Sequence, residues 1–247
     1  MGRRDPRRLP KVRFGKKTYY RNNLTVLPVF PDEAPLFPPE RDRSFLIAHE
    51  VGDALKWQRR EVYNDTEAYV LILPGERLDV GVLNASVLVP PKASVSIPVF
   101  LQSCKSVNAH RIGRPVQGAC GVLVGAAESC YAIDLFDSPV ACEAAWRRLP
   151  SGVAVEALMG SRKRRFSDDG LKSAYIDFTE MEWRQVRAVG AGIEYRAVGD
   201  DVEAFALYFD GILVHARAVA WAARWESKQF REPWPWQHGE GGILERG

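Results

Sequence analysis

Residues 68–102, AYVLILPGERLDVGVLNASVLVPPKASVSIPVFLQ, are the stretch that decides the fold class. Three runs rich in Val, Leu and Ile are separated by the turn sequences Pro-Gly-Glu and Pro-Pro-Lys-Ala, so the stretch predicts a meander of β-strands. Similar strand patterns occur at residues 23–30, 192–198 and 203–209, and the last of these leads into an Asp-Gly hairpin turn at residues 210–211. The chain is therefore predicted to be rich in strands.

A strand followed by a helix is predicted where the sequence reads YAIDLFDSPVACEAAWRRL, residues 131–149. Ser138 is a favoured N-cap residue, and Pro139 suits the first helical position because its missing N–H costs nothing there. Asp137 places a negative charge beside the positive end of the helix dipole. We expect Phe136 to pack into the core beneath this junction.

These patterns predict an α+β fold, with a mixed or antiparallel sheet and a few helices in one strand-rich domain. The domain is expected over residues 23–225, between a basic, disordered arm at residues 1–22 and a tail at residues 226–247 that contains Pro, Gly and Trp. Apolar spacing also favours a helix over residues 45–55, and residues 160–170 read as a surface loop where a boundary between two subdomains stays open.

Charge is concentrated at the N-terminus. The net charge is +3 over 247 residues, yet residues 1–21 contain nine Lys or Arg and one acidic residue. Such an arm can pair with phosphates, so nucleic acid or an acidic protein is one candidate partner. The sequence contains no apolar run of about 18 residues and no secretory h-region, which predicts a cytoplasmic protein without a membrane partner.

Most motifs with a known chemistry are missing. The four cysteines form no C-x-x-C pair, so free thiols are expected, with Cys120 and Cys142 as small buried hydrophobic residues. No H-E-x-x-H, phosphate-binding loop or G-x-S-x-G sequence occurs, and no metal site or cofactor is predicted. The sequence VGAGIE, with Gly190 and Gly192, lacks the third glycine of a nucleotide-binding loop.

A few polar residues are candidates for a site. Arg111 and Arg114, in NAHRIGRPVQG, could hold a phosphate between them, although a solvated loop is the plainer interpretation. His215 lies on an alternating strand, where a structural role is equally compatible with the pattern. Asp134 lies between Ile133 and Leu135, so its carboxylate must reach solvent or find a buried partner.

Three stretches together resemble a known prokaryotic family. They are residues 73–99, with the signature LNASVLVP, residues 122–158, with IDLFDSP, and residues 189–219, and they occur in the order seen in the domain family named for its association with ADP-ribosylglycohydrolases and rhodanese-phosphatases. Members of this type carry a polar G-x-K-Q-N-R segment and a cysteine followed by Glu, Arg and Trp. This chain keeps Gly75, Glu76, Asn84 and Cys104 but lacks the rest, and it is similar to a shortened, divergent member.

The resemblance implies a place in or beside NAD and ADP-ribose metabolism. We therefore expect a small-molecule binding domain, or a weak hydrolase, for an ADP-ribose-like or nucleotide-derived ligand. Glu76 and Asp134 are the candidate catalytic residues. The candidate ligand-binding residues are Asn84, Arg111, Arg114 and His215. The alternative is a noncatalytic interaction module that uses the basic arm to contact nucleic acid or an acidic protein.

Overall fold

The computed structural model describes residues 9–20, 24–32, 45–58, 60–78, 81–83, 85–97, 112–126, 130–149, 167–199 and 202–220. The strands are β1 (Val12–Phe14), β2 (Thr18–Tyr20), β3 (Leu24–Pro31), β4 (Phe45–Ile47), β5 (Leu55–Gln58), β6 (Glu61–Asn64), β7 (Tyr69–Ile72), β8 (Arg77–Leu78), β9 (Gly81–Val82), β10 (Val87–Val89), β11 (Ser94–Ser96), β12 (Gly121–Ala126), β13 (Cys130–Phe136), β14 (Arg184–Val186), β15 (Ile193–Val198), β16 (Val202–Phe209) and β17 (Ile212–Ala220). The helices are α1 (Ala48–Val51), α2 (Pro139–Ala145) and α3 (Asp168–Glu180), with 3-10 turns at Gly52–Ala54 and Trp146–Arg148. The predicted strand-rich α+β fold is confirmed.

A nine-stranded sheet forms the centre of the molecule. Its strand order is β1-β3-β12-β13-β17-β16-β15-β14, with β2 also paired to β3. Neighbouring strands pair in the antiparallel sense throughout. The long strands β13, β16 and β17 lie in the middle of the sheet, where both faces are buried.

Smaller sheets from residues 45–97 cover one face of the central sheet. Their strand orders are β10-β7-β4, β11-β6-β5 and β8-β9, and β4 runs parallel to β7. The predicted simple meander is wrong here, because β11 pairs with β6 and not with β10. Pro90 and Pro91, which follow β10, have no N–H to donate, so a hairpin ladder cannot continue from β10 into β11.

The predicted helix over residues 45–55 is replaced by a strand and one helical turn. Phe45 and Ile47 are buried in β4, and α1 ends at Gly52, whose φ of 51° lies in the left-handed region. Conversely, α3 begins inside the predicted 160–170 loop. Ser167 caps it by accepting a hydrogen bond from Gly170 N at 3.0 Å, which is the usual role of a serine at a helix start.

The two faces of the central sheet are covered differently. Helix α3 packs on one face, which we call the apolar face, through Leu171, Ala174, Tyr175 and Phe178. The residues 45–97 and helix α2 pack on the other, which we call the mixed face, because its apolar cluster surrounds a group of buried polar side chains.

Part of the predicted disordered arm is ordered on the sheet edge. Strand β1 pairs with β3, Lys17 forms an ion pair with Asp168 at 2.9 Å, and Tyr175 Oη donates a hydrogen bond to Pro10 O at 2.6 Å. The structure differs from the expectation here because apolar residues alternate with the basic ones, so one side of the segment can be buried. None of the described helices is long and apolar enough to cross a membrane.

Candidate functional site

Polar residues from β13 and β17 meet on the mixed face. The register pairs Asp134 with Arg217 and Phe136 with His215. Directly opposed residues of antiparallel strands project to the same face, and so do residues two apart on one strand. The four side chains therefore lie side by side on the face that residues 45–97 cover.

Ser86 completes this group from the opposite layer. It lies just before β10 and its hydroxyl oxygen is 2.7 Å from His215 Nδ1, while His215 Nε2 is 3.1 Å from Asp134 Oδ1. Ser86 is 2% exposed and the other two side chains are 0% exposed. We call Ser86, Asp134, His215 and Arg217 the His215 cluster.

The hydrogen bonds assign the protons within the cluster. An ionised carboxylate only accepts hydrogen bonds, so His215 Nε2–H donates to Asp134. His215 Nδ1 then carries a lone pair and accepts the hydroxyl proton of Ser86. Burial lowers the pKa of His215, and the hydrogen bond to Asp134 opposes this shift. Since burial dominates, the imidazole is neutral, in agreement with this assignment.

Two aromatic rings fix the plane of the imidazole. The Phe136 ring lies 4.6 Å from the His215 ring with an interplanar angle of 32°. The Phe205 ring lies 5.5 Å away at 62°. Because side chains packed on two sides cannot rotate freely, His215 is held in one orientation between its polar partners.

Arg217 is the unusual member of the cluster. The residue is 5% exposed, and its Nε has no hydrogen-bond acceptor among the described residues. Burial lowers the pKa of Arg217, and the negative charges of Asp134 and Glu203 act in the opposite direction. A buried guanidinium loses its hydration, and this loss is normally compensated by direct hydrogen bonds. Arg217 therefore has one buried donor, Nε–H, that no described residue satisfies.

Of the predicted site residues, the structure brings Asp134 and His215 together, whereas Glu76 forms an ion pair with Arg148. Glu76 lies in the turn after β7, where its carboxylate is 18% exposed and 3.5 Å from Arg148 Nε. Burial raises the pKa of Glu76, and the Arg148 charge opposes the rise. Arg114 is exposed in the loop before β12. Asn84 and Arg111 lie outside the described residues.

Two members of the cluster were missed in the sequence. Arg217 had a usable signal, because His215 and Arg217 are two polar residues at positions i and i+2 in the apolar strand ILVHARAVA. Ser86 had none, since it lies 129 residues from its partner His215. Only the packing of one layer on another places the two side chains in contact.

The glycine pair of VGAGIE has a packing role. Gly190 has a φ of 84°, and a Cβ there would lie 2.3 Å from Leu88 O. The neighbouring Ala191 N donates a hydrogen bond to Leu88 O at 2.8 Å. The glycine thus lets the loop before β15 approach the backbone of β10, which helps to hold the layer that carries Ser86.

Cys120 and Cys142 are buried free thiols, as predicted. Burial raises the pKa of Cys120 to about 12 and that of Cys142 well above the usual value. Thiols with such pKa values are inert at neutral pH. Within the described part of the chain, His, Cys, Asp and Glu side chains form no group of three or more that could bind a metal ion.

The fold and the site define an α+β domain in which a Ser–His–Asp hydrogen-bonded chain lies beside a buried arginine. Residues 106–219 match the family model of the ARPP-1 domain, the ARG and Rhodanese-Phosphatase-superfamily-associated Protein domain. Over those residues the chain is similar to this family, and the resemblance predicted from the sequence is confirmed. No curated protein and no solved structure matches the chain significantly.

Proposed function

We propose that this protein is a small-molecule binding domain for an ADP-ribose-like, nucleotide-derived ligand, and that the His215 cluster is its binding site. The observation that carries the proposal is the buried guanidinium of Arg217, whose Nε has no acceptor among the described residues. A phosphate group accepts hydrogen bonds from a guanidinium in a bidentate geometry and would give Nε the acceptor that it lacks among the described residues.

The neighbours of Arg217 suit the rest of such a ligand. Phe205 faces Arg217 directly across the β16–β17 ladder and offers an apolar ring beside the charge. Asp134, opposite Arg217 on the other side, is an acceptor for a ribose hydroxyl. All three residues lie within residues 106–219, the region that matches the family named for ADP-ribosylglycohydrolase association. This supports the choice of an ADP-ribose-like compound over an unrelated anion.

A thermal-shift panel of ADP-ribose, NAD, AMP and inorganic phosphate tests the proposal. A ligand present at about 100 times its Kd stabilises the folded state by about 2.7 kcal/mol, which corresponds to a rise in Tm of roughly 5–10 °C for a chain of this size. We expect the rise with ADP-ribose. A flat response of the intact protein to the whole panel would remove the proposal.

Arg217→Met is the informative variant, because Met keeps a long apolar stem and removes the donors. Its matched control is Arg184→Met on β14, where the side chain is 78% exposed and paired only with Glu182 among the described residues. The Tm rise is expected to vanish in Arg217→Met and to persist in Arg184→Met. Equal responses of the two variants would place the ligand elsewhere.

The other predicted ligand residues are ranked by the same panel. Arg114 is exposed, so we expect it to play at most a supporting role in holding phosphate. The Tm rise with ADP-ribose should therefore fall less in Arg114→Gln than in Arg217→Met. Asn84→Ala and Arg111→Gln test the two candidates outside the described residues. Glu76→Gln tests the acid that forms an ion pair with Arg148.

The alternative, an interaction module using the basic arm, is tested by deleting residues 1–8. In the described part of the arm, Lys17 is engaged with Asp168 and Arg13 lies over the Phe30 ring at 5.5 Å. The free phosphate-binding charge would come from the four arginines of residues 1–8 and from Lys11 and Lys16, which are exposed, so the deletion is combined with Lys11→Gln and Lys16→Gln. Salt-sensitive nucleic-acid binding that the deletion abolishes would favour this function.

A further inference from the structure

We infer that Ser86 is a nucleophile, activated by His215 as general base, and that it cleaves a carboxylic ester of the phosphate-bearing ligand. This inference rests on the proposed function for its substrate class, and it adds a reaction that binding alone does not require. The observation behind it is the continuous chain from Ser86 Oγ to His215 Nδ1 at 2.7 Å and from His215 Nε2 to Asp134 Oδ1 at 3.1 Å.

This chain has the geometry that serine nucleophiles need. A serine hydroxyl reacts only when a base removes its proton, and a base works only when a third group fixes its tautomer and orientation. Here the 2.7 Å contact lies within proton-transfer distance, and Asp134 fixes His215 through the opposite ring nitrogen. Asp134 is thus a positioning residue, while Ser86 and His215 touch the reacting atoms.

The packing of the site keeps the base neutral and still. Phe136 and Phe205 enclose the imidazole, and Ser86 itself is 2% exposed. Arg217, two residues from His215 on the same strand and face, would hold the anionic part of the ligand next to Ser86. An ester linkage close to that anion then lies within reach of the hydroxyl.

The reaction proceeds in two balanced halves. Ser86 Oγ bonds to the acyl carbon while its proton passes to His215 Nδ1, and the leaving alkoxide takes that proton as the ester C–O bond breaks. Water then attacks the acyl-serine, gives a proton to Nδ1, and releases the carboxylic acid as Ser86 regains its proton. Water is the only co-reactant.

Reaction with phenylmethanesulfonyl fluoride tests the nucleophile directly, since this small reagent needs little room. Ser86 Oγ would displace fluoride from sulfur and retain the sulfonyl group. We expect one adduct per chain under native conditions, mapped to Ser86 by peptide mass spectrometry. The matched control is Ser94→Ala on β11, an exposed serine whose removal leaves the adduct unchanged. An intact native protein that forms no adduct at Ser86 overturns the inference.

The effect of His215 on the rate of adduct formation shows whether Ser86 is activated by a base or is labelled only because the reagent reaches it. In His215→Gln the rate of adduct formation is expected to fall by roughly 100-fold or more, as for the loss of a general base. Asp134→Asn is expected to slow the reaction and change its pH profile, because the imidazole is no longer held in one tautomer. Equal rates in wild type and His215→Gln overturn the inference even when Ser86 is labelled.

The two proposals fail separately. If ADP-ribose raises the Tm of both wild type and Ser86→Ala while no adduct forms at Ser86, the binding proposal stands and the nucleophile is rejected. If the His215-dependent adduct forms while no compound of the panel changes the Tm, the nucleophile stands and the proposed ligand is rejected. Protection of Ser86 from labelling by ADP-ribose supports both proposals.

Discussion

The two faces of the central sheet are both buried, but they bury different kinds of side chain. On the apolar face, small alanines of β16 and β17 lie under the large side chains of α3. On the mixed face, Asp134 lies on β13, and His215 and Arg217 lie on β17, the strand that also carries Ala216 and Ala218 on its other side. Apolar burial gains free energy, whereas buried charge costs it unless it is compensated. The mixed face therefore carries the groups that packing alone would not select.

Removal of a large side chain from the apolar face is expected to have the largest effect on stability. Phe178 is fully buried beneath α3 and contacts Trp183 edge-on at 5.5 Å. Phe178→Ala should lower the free energy of unfolding by about 3–5 kcal/mol, because it removes apolar contact and leaves a cavity. Urea unfolding measures the loss.

Ile176→Ala is the control on the same helix, since Ile176 is 52% exposed. Its expected loss is below about 1 kcal/mol. If both variants lose the same stability, α3 does not pack on the sheet as described. Neither substitution is expected to change the response to ADP-ribose, because both lie across the sheet from the His215 cluster.

A polar substitution on the mixed face should cost less stability and more function. Asp134→Asn keeps the side-chain shape but removes the charge that accepts from His215 and acts on Arg217. We expect a loss of about 1–3 kcal/mol, which is the range for a buried hydrogen bond that loses a charged partner. Asp169→Asn, with a side chain 96% exposed, should stay within about 0.5 kcal/mol of wild type.

The mixed face is also expected to make stability depend on pH, through His215. The pKa of His215 is lowered by burial, so below pH 6.5 the unfolded chain binds a proton that the folded chain refuses. Stability contributed by neutral His215 is therefore lost as the pH falls below 6.5, with a slope of at most about 1.4 kcal/mol per pH unit. The measurement is urea unfolding between pH 5 and 7.5, compared with His215→Gln.

The difference between the pH profiles of wild type and His215→Gln separates the effect of His215 from that of the buried carboxylates. Glu76 and Glu194 have pKa values raised by burial, so they favour folding as the pH falls and oppose the His215 effect. They are present in both proteins and cancel in the comparison. A wild-type profile with the same slope as His215→Gln would show that His215 is not buried in the neutral form.

The smallest effect on stability is expected for Arg217→Met in the ligand-free protein. Arg217 makes no hydrogen bond through Nε to any described residue, so its removal breaks no hydrogen bond at that atom and relieves a desolvated charge. Its attraction to Asp134 and Glu203 is lost at the same time. We expect these two effects to leave the free energy of unfolding within about 1 kcal/mol of wild type. A loss of more than about 3 kcal/mol would identify Arg217 as a structural ion-pair residue.

Features that depend on neighbouring residues, such as helix caps and strands, could be predicted from the sequence. Ser138 caps α2 by accepting a hydrogen bond from Ala141 N at 3.2 Å, and strand β3 occupies nearly the residues expected. Helix α3 was missed even though Ser167 precedes two aspartates and Leu171, Ala174 and Phe178 follow at helical spacing. The basic residues before Ser167 favoured a surface loop over residues 160–170, so the helix start was not predicted.

The site could be predicted only in part, because it forms between layers. The acid in an apolar run marked Asp134 as a residue that must reach solvent or find a buried partner, whereas the pattern around His215 was equally compatible with a structural role. The identity of those partners depends on the register of β13 with β17 and on the packing of β10 against the sheet. Neither the register nor this packing can be predicted from the spacing of residues along the chain.

The central claim is that Arg217 is held ready for an anionic ligand. The most direct measurement is the Tm of wild type and Arg217→Met across an ADP-ribose titration. The account predicts a rise of Tm with ligand concentration in wild type and a constant Tm in Arg217→Met, from nearly equal starting values. A rise of the same size in both proteins, or a constant Tm in both, would contradict it.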